Sequence, residues 1–234
     1  MIHLKNKVNF FVSILISFLL FTYILNAQNY EIADSINVGK SNIKDLKINN
    51  YNYFLLNNNY IYKIDNFGKI LDSNKVDRTV TGICFKDHNL LLIYENGVIK
   101  NKFDSILINL NINNRVSKFI TYKSLKYFTY LLVGKFSYSN SIILFNNQGK
   151  RTIFTYLVGA EAGLYCSNNY LWHLSNKVIK NKFGILRKYN ISNGKLLSEE
   201  ILPVKDPVGI GIDSNSFIYT YSTKTKKIYK LKKK

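Results

Sequence analysis

The chain has 234 residues, with 33 Lys and Arg against 14 Asp and Glu and a formal net charge of +19. Aromatics make up 15% of it, and Ala is almost absent after residue 27, which argues against a helical fold and for strands. Only four of the cations are Arg (Arg78, Arg115, Arg151 and Arg187), and Arg is the residue suited to bidentate phosphate recognition, so nucleic acid is an unfavoured partner despite the charge.

The first predicted element is an export signal over 1–27. Lys5 and Lys7 precede an apolar run from Phe10 to Leu25, and the small residue Ala27 closes it. A basic start, an apolar middle and a small-residue exit are the three parts of a secretory signal. A spanning anchor needs about 20 apolar residues, and this run is shorter. The expected mature chain starts near Gln28, carries no transmembrane span, and works as a periplasmic or extracellular monomer.

From residue 28 to 234 the predicted elements repeat. Val-Ile-Lys-Asn-Lys-Phe occurs at Val98–Phe103 and again at Val178–Phe183, each time after an apolar segment, a polar turn and a second apolar segment. Units of this kind begin near residues 46, 83, 119, 164 and 210. A period of a few tens of residues built from short alternating strands points to propeller blades. Turns such as Asn66-Phe67-Gly68-Lys69, Asn147-Gln148-Gly149-Lys150 and Ser192-Asn193-Gly194-Lys195 place Gly where a tight hairpin needs positive φ.

The last unit runs out after its third strand. Glu31–Val38 resembles the fourth strand of the first unit, Ile70–Val76, and is predicted to pair into the final blade and close the ring. The expected fold is therefore all-β: a complete β-propeller of five blades, each of four antiparallel strands, closed by the N-terminal strand. A sandwich or β-helix of similar strands is the alternative.

The segment Asp206-Pro207-Val208-Gly209-Ile210-Gly211-Ile212-Asp213, followed by a polar turn and Ile218-Tyr219, resembles the repeat of NHL and SMP-30/gluconolactonase-like propellers. The Asn26-Ala27-Gln28 exit and the Asn, Lys and Ile bias resemble exported propellers of Bacteroidota. The SMP-30 resemblance implies a divalent metal, calcium, held by acids in the central channel. Candidate ligands would be Glu161, Asp213 and Asp45, with Asp213 also readable as a turn residue and Glu161 as a surface acid.

Other residues carry less. Trp172 and His173 could share a ligand surface, although an aromatic packed between blades is the plainer reading. Cys84 and Cys166 fall in first strands of non-adjacent units, too far apart for a disulfide, and read as small buried residues. The lysines of 224–234 could grip an anionic surface or blunt an edge strand. A nucleophile, base and orienting acid do not converge in the sequence, and a Gly-rich phosphate loop is missing. The expected function is non-catalytic binding of a protein or glycan through loops, with no cofactor. The alternative is a metal-dependent hydrolase or lactonase of SMP-30-like type, with calcium.

Overall fold

A computed structural model describes residues 29–234 apart from 50, 87–88, 102, 104, 110–115, 124–127, 137–138, 146–150, 158–159, 168 and 177–182, and from 116 to 161 it describes backbone only. The predicted signal and the Gly149 turn lie outside the described residues.

The chain opens with β1 (Tyr30–Asn37). The first full sheet follows: β2 (Asp45–Asn49), β3 (Asn52–Leu56), β4 (Tyr60–Ile64) and β5 (Ile70–Lys75). The second holds β6 (Val80–Lys86), β7 (Asn89–Tyr94), β8 (Val98–Asn101) and β9 (Ile106–Asn109). The third holds β10 (Val116–Lys123), β11 (Phe128–Phe136), β12 (Ser139–Phe145) and β13 (Arg151–Leu157). The fourth holds β14 (Ala160–Ser167), β15 (Tyr170–Asn176), β16 (Phe183–Asn190) and β17 (Leu196–Lys205). The last is β18 (Pro207–Ile212), β19 (Ile218–Ser222) and β20 (Lys227–Lys233), with β1 added outside β20.

Among the described residues there are thus five four-stranded sheets; the first four are meanders, and in the last β1 is added to a meander of β18, β19 and β20. Their first strands pack against one another in sequence, β2 on β6, β6 on β10, β10 on β14 and β14 on β18, and β18 returns to β2. A closed ring of inner strands is a β-propeller.

Apolar residues fill the spaces between neighbouring sheets. Leu46, Leu55 and Ile64 of the first sheet meet Tyr219, Tyr221 and Ile228 of the closing sheet. Leu174 and Leu186 of the fourth sheet meet Ile210, Ile218 and Leu231 across the next gap. Burying a side chain of this size is worth about 1.5–3 kcal/mol.

Gly209 lets the inner strands come this close. Its φ is +69°, and a side chain there would overlap the backbone of Leu46 on β2. The Gly-Ile-Gly of 209–211 is therefore a packing device between β18 and β2.

The closing strand pairs as its sequence suggests. Tyr30 lies opposite Lys233 and Asn37 opposite Lys227, with a bulge between Ile32 and Asp34. One expectation fails here. The lysine-rich β20 is not an edge, because β1 covers it, and the strand presented outside carries Glu31 and Asp34 instead. Lys232 pairs with Glu31 at 2.8 Å. Cys84 is buried and Cys166 half-buried, and no disulfide joins them. No helix among the described residues is long and apolar enough to cross a membrane.

Candidate binding site

The ring axis was the expected place for a metal, and Asp45 does lie there, fully buried on β2. Its carboxylate is already in use. Oδ1 accepts the Leu46 N–H at 2.9 Å, and Oδ2 accepts the Ile83 N–H of β6 at 3.2 Å. Lys47 Nζ stands 3.5 Å from Oδ1 and donates to the Leu164 carbonyl of β14 at 2.8 Å. Because β18 stands between β2 and β14 in the ring, Lys47 reaches past one blade to another. The pair ties three inner strands together.

Asp213 caps a turn, the plainer of its two readings. Its Oδ1 accepts the N–H groups of Asn215 and Phe217 at 2.9 and 3.0 Å. Glu161 sits on β14 opposite Ser175, and its side chain lies outside what is described. Among the described residues no three His, Cys, Asp or Glu side chains gather closely enough to hold a metal ion.

Trp172 and His173 do not share a surface. Consecutive residues of a strand point to opposite faces. Trp172 packs against the core between the fourth and closing sheets, and the Lys188 ammonium lies 5.0 Å from its ring. His173 faces the other way, is fully buried, and neither ring nitrogen has a hydrogen-bond partner among the described residues. Burial, with a smaller push from the Arg187 guanidinium, lowers its pKa from 6.5 to about 3. It is held neutral.

A cleft of about 710 Å³ opens where the closing sheet meets the first sheet. Its walls come from β1, from the β2–β3 and β4–β5 hairpin tips, and from the Asp213 turn. Two aromatic rings stand at those tips in the open: Tyr51 is 87% exposed and Phe67 is 86% exposed. Tyr51 also has φ +63°, the left-handed region that favours Gly. Gly68, after Phe67, has φ +90° and packs on the Asn37 carbonyl, which sets that tip against β1.

Deeper in, the rings of Tyr53 and Tyr219 lie 5.6 Å apart. The Tyr219 hydroxyl donates to Asp213 Oδ2 at 2.9 Å. Burial and then this hydrogen bond raise its pKa well above the usual phenol value. The Tyr53 hydroxyl is raised too, by burial first and then by the negative charges of Asp34 and Asp213. Two carboxylates from distant parts of the sequence therefore act on one spot.

Of the cleft residues only Asp213 stood out in the sequence. The others had a faint signal. Tyr51 stands at a hairpin tip where Gly would be expected, and Phe67 is an apolar ring at a polar tip.

No family profile matches the chain, and neither does any curated protein. The expected kinship with NHL and SMP-30 propellers of Bacteroidota thus finds no match. Among solved structures the chain is similar to the Dos1 propeller, at 16% identity and TM-score 0.47 over 83% of this chain and 56% of that one. It therefore spans little more than half the length of that propeller. It is also similar to the WD40 domain of Neurospora crassa Pan2, at 8% identity and TM-score 0.45 over 81% of this chain and 74% of that one. The propeller assignment rests on the ring of sheets itself.

Proposed function

We propose that this chain is an exported, non-catalytic propeller that binds a protein partner at the cleft between its closing and first sheets. The observation that carries the reading is the pair of exposed rings, Tyr51 and Phe67, at the mouth of an open cleft. Large aromatic side chains are the residues that anchor partners, and tips of short hairpins have no folding reason to hold them. The polar groups of Asn49, Asn66 and Asn215 around the rings supply directional contacts. Export is supported by the basic start, the apolar run and the Ala27 exit. Two of the three acids a metal-dependent lactonase would use serve elsewhere: Asp45 links inner strands and Asp213 holds a turn.

Peptide and glycan arrays probed with the wild-type chain and with Tyr51→Ser/Phe67→Ser test this reading. Binding to a subset of peptides should fall at least about tenfold in the double variant, as for loss of interface anchors. Binding that is unchanged in that variant, or confined to glycans, would overturn it.

A further inference from the structure

In each sheet the first-to-second and third-to-fourth turns lie at one end, the end that holds the cleft, and the second-to-third turn lies at the other. At the closing sheet this far end gathers three segments distant in sequence. The Val38 and Gly39 N–H groups both donate to the Lys226 carbonyl at 3.2 Å, and the Thr223 N–H donates to the Asp206 carbonyl at 3.0 Å. The Tyr221 hydroxyl donates to the Lys40 carbonyl, and Ser222 Oγ to the Lys205 carbonyl at 2.7 Å. Lys40, Lys205, Lys224, Lys226 and Lys227 are thereby brought to one corner, and the segments that carry them hold one acid, Asp206. Lys205, Lys224 and Lys226 are exposed. Further along β20, Lys230 lies on the Phe217 ring, Lys232 pairs with Glu31 and Lys233 with Glu200. Lys224, Lys226 and Lys227 make no such contact among the described residues.

Folding alone does not ask for this corner. Lys226 has φ +58°, in the left-handed region, where the matching β7–β8 hairpin of the second sheet has Gly97 at φ +81°. Like charges gathered on one turn repel, and a lysine in a strained position costs stability, so both point to a role outside the fold. Lysines act as point charges without the planar fork that reads a shaped anion, and a cluster of them suits a broad anionic surface. We infer that this corner seats the chain on an anionic bilayer, its ammonium groups on lipid phosphates and the cleft turned away from the membrane. The net charge of +19 draws the chain toward such a surface, and the corner decides which end arrives. Seated so, the cleft stays open whatever it binds.

The test uses the full mature chain and co-sedimentation with phosphatidylglycerol vesicles, with phosphatidylcholine vesicles as the comparison without net charge. Binding to phosphatidylglycerol at low salt should fall at least about tenfold in Lys224→Gln/Lys226→Gly, as for loss of two lysines beside an anionic surface. The Gly relieves the backbone, so this variant should melt no lower than the wild type. Lys69→Gln/Lys195→Gln removes the same charge from hairpins at the cleft end and should cost less than about threefold, because salt screens charges held away from the surface. Equal losses in the two variants would overturn the inference, since net charge alone would then account for binding. No binding to phosphatidylglycerol, or equal binding to phosphatidylcholine, would overturn it too. Polygalacturonate that binds the chain where vesicles do not would make the ligand an acidic glycan instead. Vesicle binding lost in Tyr51→Ser/Phe67→Ser would put the lipid contact at the cleft end and overturn the inference as well.

Discussion

His173 has no partner for either nitrogen among the described residues, and its neutrality has a thermodynamic consequence. Its pKa is near 6.5 in the unfolded chain and about 3 in the folded one, so between those values the unfolded state binds the extra proton. The stability present above about pH 6.5 is therefore lost as pH falls toward 3, at up to about 1.4 kcal/mol per pH unit. His173→Leu removes the titration and two unsatisfied buried atoms. Urea midpoints at about pH 7 and about pH 5 should lie closer together in the variant than in the wild type. An equal separation in both would contradict the buried, neutral ring. Tyr51 poses the opposite case. Tyr51→Gly relieves the left-handed strain and should raise stability by roughly 1 kcal/mol while weakening partner binding. A variant that is less stable in thermal melts would count against a strained tip. At this scale the sequence was a partial guide. It identified Asp213 as a turn residue and Trp172 as an aromatic packed between blades, whereas the alternative of a surface shared by Trp172 and His173 fails because strand alternation puts them on opposite faces. Asp34 and Tyr53 could not be seen as neighbours, because one belongs to the closing sheet and the other to β3 of the first sheet, and they share a cleft only once those sheets meet.

Strands and turns were far more legible. The five predicted unit starts fall within a few residues of β2, β6, β10, β14 and β18. Gly68 and Gly194 have the positive φ their hairpins require. The reason is local: alternation and turn chemistry depend on neighbours in sequence, whereas contacts between sheets do not. Four inner strands carry a register shift near their start, at Val80/Gly82, Val116/Lys118, Glu161/Gly163 and Val208/Gly211, and no composition signal marked them. The packing between inner strands gives two mutational expectations. Gly209→Ala places a methyl group into β2 at a positive φ, and should cost about 3 kcal/mol or more in chemical denaturation. Asp45→Ala leaves the Lys47 ammonium buried without its carboxylate, and should cost about 3–5 kcal/mol. The double change Asp45→Leu/Lys47→Met should recover most of that loss. A double variant as unstable as the single one would mean the pair does more than neutralise itself.

For the molecule as a whole, the last sheet reaches four strands only because β1 joins β20. Removing residues through Asn37 from the mature chain leaves a three-stranded last sheet with a bare lysine-rich edge and opens the cleft wall that carries Asp34. Such a chain should melt at lower temperature and associate through that edge, visible as larger species in size-exclusion chromatography. A monomer with an unchanged melting temperature would show the clasp to be dispensable. The matching ends of the repeat made the clasp readable in advance, because the missing fourth strand of one unit was present as a spare at the other end. The clasp also sets a clock. β1 is the first strand to be synthesised, and its partner β20 is the last, so the closing contact spans nearly the whole sequence and loop entropy delays it more than any other pairing. Until β20 emerges, β1 lacks the strand it pairs with. A chain whose first described strand must wait for its last one stays open during synthesis, a state that suits the proposed export.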